Sequence, residues 1–355
     1  MTVNGELLHA ALVETLADHG PGVYGLVTES GRTVFAESVG VADLENPRPL
    51  APNDQYRLGS VTKMYTATLV LQLVADGLLA FDDTVEKLLP GLVPDSGGIT
   101  VEILLRLRSG LPDYTAALFG DSLDDLSALE RYWSPRRVVE AALSCDDRVA
   151  PDTEYRHGNT EFILLGLMIE AVTGERYDAQ LWQRIIKPLN LADTTLPTVD
   201  PYLRGPHATG HNRMSPEAGY APFTTMTPSE GWSAGAMVAT AADVAAFLDG
   251  LFGGALLPER MLARMVEPLR RIDEYRSAGL GVMRFDFGNG PGNVAYGYTG
   301  GTPGFATVCL RTVSGRSVVL WQNGVELYHP MGSSAAFVQA ALRPGSLVDS
   351  KCCSE

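Results

Sequence analysis

The chain has 355 residues, of which 45% are hydrophobic and 19% are charged, and its formal net charge at pH 7 is −15. This length is enough for one large core or two fused subdomains, and the apolar content is typical of a globular protein rather than a disordered one. The acidic excess, with no basic cluster to relieve it, argues against nucleic acid or an anionic membrane as a partner.

The first predicted element is an amphipathic helix within residues 1–20, with leucines along one face. The segment lacks a basic region, and acidic residues interrupt its apolar ones, so it is not typical of a signal peptide. No stretch of the sequence is long and apolar enough to predict a membrane-spanning helix. We therefore expect a cytoplasmic protein.

Two strand-like runs follow this helix, Val23–Thr28 and Thr33–Val39. The short, Gly-containing connection between them predicts a β-hairpin. A long apolar helix is then predicted from about Met64 to Leu78, with Gly77 marking its end.

The tetrapeptide Ser60-Val61-Thr62-Lys63 stands at the start of that helix. A serine and a lysine three residues apart share one helical face, one turn apart. Backbone N–H groups at a helix start favour negative charge, and a buried, neutral lysine can take the proton of the serine. The pattern predicts an activated serine nucleophile; the alternative is that Ser60 only caps the helix.

The distribution of lysines favours the nucleophile. The chain has only four lysines, and the residues three positions before the other three are threonine, arginine and valine. A lysine-poor chain therefore places one lysine where this chemistry needs it. Arginine could not replace Lys63, because a guanidinium does not give up its proton.

The middle of the chain reads as mainly helical, with the clearest helices at Arg136–Leu143 and Thr160–Val172. Residues 197–227 are rich in Pro, Gly, Thr and His and predict a long loop that lines a site. The last third returns to strands and closes with a helix, at Val294–Tyr298, Phe305–Arg311, Ser317–Gln322 and Ser333–Leu342.

Strands at both ends with helices between them predict one sheet built from both termini. We expect an α/β sheet domain from residues 1–95 and 240–343, a mainly helical domain from residues 96–239, and a flexible tail at residues 344–355.

The cysteines indicate neither a disulfide framework nor a zinc site. Cys145 and Cys309 stand in apolar contexts as buried thiols, whereas the other two lie in the polar tail. His207 and His211 have the spacing of a metal pair on a helix, but the surrounding Gly and Pro make that stretch a loop. We expect no metal and no cofactor.

Several spaced motifs resemble the penicillin-recognising serine enzymes, that is, class C serine β-lactamases and the D-alanyl-D-alanine carboxypeptidases of the same branch. The resemblance runs from about Gly22 to Ala341. It implies an α+β fold with a five-stranded antiparallel sheet flanked by helices plus an all-helical domain. It also implies an acyl-enzyme at Ser60. The matching stretches are Leu58–Lys63, Leu71–Val74, Leu104–Tyr114, Pro151–Gly174, Ser233–Gly235 and Gly297–Phe305.

Two motifs depart from the family pattern. In the second motif, Tyr-x-Asn, His157 stands where tyrosine is expected and Asn159 is kept. In the third motif, Lys-Thr-Gly or His-Thr-Gly, Tyr298 stands where the cation is expected. The resemblance implies that His157 and Tyr298 face each other as a hydrogen-bonded pair, in which His157 is the general base or acid.

Alternatives remain for both residues of this pair. His157 is a structural histidine if it only fills space, and an alignment shifted by two residues would make Tyr155 the phenol. Tyr298 could be a strand residue that faces the core.

The resemblance implies an oxyanion hole made by the N–H of Ser60 and an N–H just after the third motif, in the segment Gly300, Gly301 and Thr302. Asn159 would hold the lysine and the substrate amide, or would cap the following helix.

Two further residues complete the predicted site. Trp232 would line the acyl pocket, or would only pack in the core. Arg284 would replace the positive charge that the third motif lacks.

We expect a serine hydrolase or acyltransferase that acts through acyl-Ser60 on an intracellular ester, thioester or amide, either a small molecule or a peptidyl group on a carrier. Efficient β-lactamase or carboxypeptidase activity is less expected, because Tyr298 offers no charge to a substrate carboxylate. The alternatives are a cyclase or isomerase that uses His157 and Tyr298 without acylation, and a non-catalytic binding protein.

Overall fold

The computed structural model describes residues 4–18, 20–120, 126–215, 217–267, 270–288, 294–326 and 335–342. The predicted flexible tail, residues 344–355, lies outside these ranges. No helix in the described part of the chain is long and apolar enough to cross a membrane.

Thirteen strands are present in the described residues. In chain order they are β1 (Gly22–Glu29), β2 (Arg32–Gly40), β3 (Tyr56–Arg57), β4 (His211–Arg213), β5 (Ala221–Pro222), β6 (Val238–Ala239), β7 (Arg270–Arg271), β8 (Arg276–Ala278), β9 (Met283–Asp286), β10 (Val294–Thr302), β11 (Phe305–Thr312), β12 (Arg316–Gln322) and β13 (Gly324–Glu326).

The main sheet is antiparallel, with the strand order β2-β1-β12-β11-β10-β9-β8-β7. Its five long strands, β2 to β10 in that order, form the predicted five-stranded sheet, and three short strands extend it beyond β10. The predicted hairpin is confirmed as β1 and β2. Its turn has positive φ at Ser30 and Gly31, which suits the right-handed twist of the two strands.

Twelve α-helices accompany the strands in the described ranges. They are α1 (Gly5–Asp18), α2 (Thr62–Ala75), α3 (Val85–Leu88), α4 (Val101–Leu105), α5 (Tyr114–Phe119), α6 (Pro135–Leu143), α7 (Thr160–Thr173), α8 (Tyr177–Leu181), α9 (Trp232–Gly235), α10 (Ala241–Phe252), α11 (Glu259–Val266) and α12 (Ala335–Leu342).

Helices cover both faces of the sheet. Helices α1 and α12 pack together against β1 and its neighbours, while α10 packs against β11 and β12. Strand β1 is therefore buried along nearly its whole length, which explains its unbroken apolar sequence. One hydrophobic core includes side chains from both the predicted sheet domain and the predicted helical domain.

Helix α2 lies between the sheet and the helices α7 and α9. Its residues from Thr62 to Leu71 are all buried, in agreement with a sequence that is apolar on every side. Burial of this helix carries Lys63 into the interior. The predicted loop at residues 197–227 contains β4 and β5, which form a small sheet with β13.

Candidate active site

Ser60 lies in a 3₁₀ turn, Gly59–Val61, that leads directly into α2. Neither the turn nor the helix is capped by a side chain, so the interpretation of Ser60 as a helix cap is wrong. Its hydroxyl oxygen is instead 2.8 Å from the Nζ atom of Lys63. The structure thus brings the two predicted residues together.

Two glycines allow strand β10 to lie against the Ser60 turn. Gly59 has a φ of +53°, and a Cβ atom on it would come within 2.5 Å of the carbonyl oxygen of Gly301. A Cβ atom on Gly300 would come within 2.0 Å of the carbonyl oxygen of Leu58. Gly300 therefore serves close packing and is not among the described residues that line the cleft, so its role towards substrate stays a prediction.

Lys63 is completely buried and has three partners. Its Nζ atom is 2.8 Å from Ser60 Oγ, 2.6 Å from Asn159 Oδ1 and 3.3 Å from the carbonyl oxygen of Ala234. Burial lowers the pKa of Lys63 to about 8, and the charges of Asp113 and Glu161 oppose this shift. A neutral amine can donate to the two carbonyl oxygens, which leaves its lone pair for the proton of Ser60.

Asn159 is oriented by Asp113, a residue that sequence reasoning missed. Both the side-chain amide and the backbone N–H of Asn159 donate to Asp113 Oδ2, at 2.9 and 3.1 Å. The other carboxylate oxygen of Asp113 caps α5 by accepting from the N–H of Thr115. The side chain of Asn159 makes no capping bond to α7, so the predicted contact with lysine is confirmed and the cap alternative is wrong.

Glu161 is a second carboxyl group that sequence reasoning missed. It is buried in the first turn of α7 and accepts a hydrogen bond of 2.7 Å from Ser109 Oγ. Burial raises its pKa to about 7. A signal was present, because Glu161 is the only acidic residue in the otherwise apolar run from Asn159 to Met168.

A cleft of about 390 Å³ opens in front of Ser60. Its polar part includes the predicted site residues His157, Asn159, Gly301 and Thr302. Ser60 and the segment after the third motif thus line one cleft, as the predicted oxyanion hole requires. The apolar part of the cleft is formed by Tyr114, Phe119, Leu126 and Leu129.

His157 lines this cleft beside Ser60 and Asn159. Burial lowers its pKa to about 4, and the positive charges of Lys63 and Arg276 contribute to the shift. The imidazole is therefore neutral at pH 7 and a weaker base than its ordinary pKa of ~6.5 implies. Tyr155 is not among the described residues that line the cleft, so the shifted alignment is not supported.

Tyr298 does not lie in the cleft. Its side chain is fully buried, and its hydroxyl has no hydrogen-bond partner among the described residues. The predicted hydrogen-bonded pair of His157 and Tyr298 is therefore wrong. The reason is strand alternation: Tyr298 and Gly300 point into the core, whereas Thr299 and Gly301 point towards the cleft.

Arg284 does not replace the charge that the third motif lacks. Its Nη2 atom donates to Asp286 Oδ2 at 2.8 Å, and the residue is not among the described ones that line the cleft. The prediction of a substrate-binding role for Arg284 is therefore wrong. Arg276 on β8 is the arginine whose charge helps to lower the pKa of His157, and its guanidinium donates a hydrogen bond to Asp273.

Trp232 packs in the core, and the prediction that it lines the acyl pocket is wrong. Its ring meets Tyr177 edge-on, with centroids 5.2 Å apart, and a Cβ atom on Gly166 would come within 2.8 Å of it. The neighbouring Gly231 and Gly235 line the cleft instead.

Glu230 also lines the cleft and was missed from the sequence. Burial raises its pKa to about 7. Its Oε2 atom is buried and lacks a hydrogen-bond partner within the described ranges. Its position just before the matched stretch Ser233–Gly235 was the available signal.

No group of three or more His, Cys, Asp or Glu side chains in the described residues is placed to hold a metal ion. His211 lies on β4, where it is buried, and His207 hydrogen-bonds the carbonyl oxygen of Gly205.

Three kinds of comparison with known proteins bear on this site. Penicillin-binding protein 4 of Amycolatopsis lactamdurans is 31% identical over 279 residues, which make up 74% of this chain and 70% of that protein. Penicillin-binding protein 4* of Bacillus subtilis (strain 168) is 28% identical over 186 residues, but these cover only 40% of its own length.

Solved structures are similar over nearly the whole chain. A D-stereospecific amidohydrolase from Streptomyces sp. has a TM-score of 0.85 and 31% identity, and the match covers 95% of this chain and 98% of that one. A D-amino acid amidase from Ochrobactrum anthropi SV3 has a TM-score of 0.84 over 95% and 97% of the two chains, and its 24% identity supports the fold alone.

The family model described as Beta-lactamase matches residues 9–342, which include every residue of the site described above. That match, the shared fold and the contacts among Ser60, Lys63 and Asn159 lead to one conclusion: the chain belongs to the Beta-lactamase family and is a serine hydrolase of the β-lactamase and penicillin-binding-protein type.

Proposed function

We propose that this protein hydrolyses an amide or ester of an amino acid through an acyl-Ser60 intermediate. The observation that carries the proposal is the position of Lys63 Nζ, which is 2.8 Å from Ser60 Oγ and has two further partners that suit a neutral amine. A general base within hydrogen-bonding distance of the nucleophile is what acylation requires.

In the acylation step, Ser60 Oγ attacks the carbonyl carbon while its proton passes to Lys63 Nζ. The negative charge on the carbonyl oxygen is stabilised by the N–H of Ser60 and by the backbone around Gly301 and Thr302. The leaving amine or alcohol then needs a proton. His157 is neutral at pH 7, so this proton originates from the newly charged lysine, either directly or by way of the imidazole.

In the deacylation step, water attacks the acyl carbon and loses a proton, while the bond from that carbon to Ser60 Oγ breaks and the serine oxygen takes a proton back. His157 lines the cleft beside Ser60 and is unprotonated, so it is placed to accept the proton of the water. Once Lys63 is neutral again, one of the two positive charges that lower the pKa of His157 is gone, and the imidazole becomes a somewhat better base, although burial still lowers its pKa.

The cleft suits a substrate that has no carboxylate next to the scissile bond. No arginine is among the described residues that line it, and Arg276 and Arg284 are both held by aspartates. The similarity to a D-stereospecific amidohydrolase supports an amide of a D-amino acid. An intracellular substrate, a thioester donor and transfer of the acyl group to an amine stay predictions from the sequence.

The two alternative functions receive less support. Acid–base catalysis by His157 and Tyr298 without acylation needs both side chains in the cleft, and Tyr298 is buried in the core. A non-catalytic binding protein would have no need of a lysine whose partners match those of a general base.

Intact mass spectrometry of the parent and of Ser60→Ala tests the proposal. Each protein is mixed with the p-nitroanilides of D- and L-phenylalanine, a short acyl thioester, a penicillin and a D-Ala-D-Ala peptide. We expect an acyl adduct and p-nitroaniline release from the parent with D-phenylalanine p-nitroanilide, and neither from Ser60→Ala. Turnover that survives in Ser60→Ala, or no adduct and no turnover with any donor, would contradict the proposal.

A further inference from the structure

The proposed mechanism gives no role to Glu230, a polar side chain that lines the cleft. It lines the same cleft as Ser60, and only 8% of the residue is exposed. Its Oε2 atom has no hydrogen-bond partner among the atoms described. A buried carboxyl group with an unused acceptor is costly to fold, so its presence beside the nucleophile calls for a ligand that uses it.

The surroundings of Glu230 do not supply this missing partner. The N–H groups of Glu230 itself and of Gly231 lower the pKa of its carboxyl group, as does the charge of Arg57, although burial outweighs all three. The Nη2 atom of Arg57 donates to carbonyl oxygens, at 2.7 Å for Pro201 and 3.3 Å for Thr224 and Met226. Arg57 thus stabilises the carboxylate from a distance without occupying Oε2.

Tyr114 lines the same cleft as Glu230, and the charge of Glu230 acts on its hydroxyl. The pKa of Tyr114 is raised well above its ordinary value, first by burial and then by the charges of Glu230 and Asp113. Its hydroxyl therefore stays neutral, and no cation other than Arg57 acts on Glu230 from the described residues around it. This part of the cleft favours a positively charged guest.

We propose that Glu230 binds a protonated amino group of the substrate and thereby selects amides and esters that carry a free amine. This inference rests on the proposed function and names the feature of the substrate that the site recognises. An ammonium group donates three hydrogen bonds and accepts none, so it complements a carboxylate oxygen that has no donor.

Two further features support an amine with an apolar neighbour. The apolar part of the cleft, which includes Phe119, Leu126 and Leu129, offers a surface for a hydrophobic side chain next to the amine. The net charge of −15 attracts cations to the protein in general. D-phenylalanine p-nitroanilide combines these properties and is a suitable probe.

The test compares D-phenylalanine p-nitroanilide with its N-acetyl derivative, which has no charge. The ratio of the two kcat/KM values is measured for the parent, for Glu230→Gln and for the control Glu140→Gln, which alters an exposed glutamate on α6. We expect the ratio to fall roughly 10- to 100-fold in Glu230→Gln, as for the loss of a charged hydrogen bond. It should stay unchanged in Glu140→Gln.

A ratio that changes less than about twofold in Glu230→Gln would overturn the inference, because a charged hydrogen bond is worth more than that. The proposed function would still stand if the parent is acylated by the N-acetyl probe. Failure of both probes to acylate the parent would instead contradict the proposed function.

A binding measurement on the parent covers the case in which Glu230→Gln does not fold. The probes are 2-phenylethylamine and 2-phenylethanol, which share the ring and differ in charge, and their affinities are measured by calorimetry. We expect the amine to bind at least tenfold more tightly. Equal affinities would refute a cation site at Glu230, whether or not the protein turns over any substrate.

Discussion

Two groups of polar side chains at the cleft differ in how fully their atoms are hydrogen-bonded. The nucleophile cluster, which we define as Ser60, Lys63, Asn159 and Asp113, is joined by bonds of 2.6 to 3.1 Å. By contrast, Oε2 of Glu230, which lines the same cleft, has no partner among the described residues. The hydrogen-bonded cluster is preorganised for catalysis, whereas the acceptor without a partner is free to accept a hydrogen bond from the substrate.

The largest effect should come from breaking the nucleophile cluster at its centre. Lys63→Ala removes the base and leaves Asn159 and Ser60 without their shared partner. We expect kcat to fall on the order of 10³- to 10⁴-fold, the upper part of the range for a positioned general base. Stopped assays with D-phenylalanine p-nitroanilide measure the loss. Lys87→Ala, which removes an exposed lysine on α3, is the control. An active Lys63→Ala would mean that another group accepts the proton of the serine.

A smaller loss is expected when the imidazole is removed from the cleft. His157→Ala should lower kcat about 10²-fold, because general acid–base assistance is typically worth that much and Lys63 still activates the serine. Since His157 serves deacylation in our mechanism, the acyl-enzyme should accumulate in the variant, and intact mass spectrometry detects it. A variant that loses acylation and deacylation alike would place His157 in both steps.

Glu161 is not part of the nucleophile cluster, but its charge changes the pKa of the lysine in that cluster. Its negative charge raises the pKa of Lys63, and the base must be neutral to act. Activity should therefore rise with pH as Lys63, with its pKa of about 8, loses its proton. In Glu161→Gln the charge is gone, so the rise moves to lower pH, and kcat/KM at pH 7 increases roughly 2- to 5-fold, as for a shift of about half a pKa unit.

The pH profile separates this role from a merely structural one. Loss of packing in Glu161→Gln would lower the rate at every pH without moving the pH range in which activity rises. Glu161→Asp, which keeps a carboxyl group at this position, is the matched control. If activity rises over the same pH range in Glu161→Gln and in the parent, Glu161 does not affect the pKa of Lys63.

The smallest effect is expected at Tyr298, whose hydroxyl also lacks a partner but lies in the core. Tyr298→Phe removes an unsatisfied buried group, so unfolding in urea should show unchanged or slightly higher stability, within about 1 kcal/mol. Activity should stay within about twofold of the parent, since the substitution keeps the ring and touches no residue that reacts. A tenfold loss of kcat would indicate that Tyr298 has a catalytic role after all.

The nucleophile cluster could largely be predicted because its chemistry is local. Ser60 and Lys63 are one helical turn apart, and Asn159 belongs to a motif with its own spacing. The long strands were also predictable, and β10 runs only four residues beyond its predicted end at Tyr298. Short-range periodicity and turn residues carry this information.

The residues that escaped prediction act across long distances in the chain. Asp113 meets Asn159 from 46 positions away, and no local pattern marks that contact. The orientation of Tyr298 depends on which face of β10 packs against the core, and that of Trp232 on a helix of only four residues. Burial and charge at such places are set by tertiary packing rather than by motif spacing.

The pairing of β1 with β12 has a consequence for how the protein is made. Arg316 on β12 donates to Glu29 on β1, and 287 positions separate them in the chain. During synthesis β1 keeps one strand edge unpaired until β12, at least 287 positions later, has been made. Strand β10, which supplies one wall of the cleft, also emerges late. A chain that has β1 but not yet β12 carries an open strand edge, which favours aggregation, and its cleft is incomplete until β10 has been made.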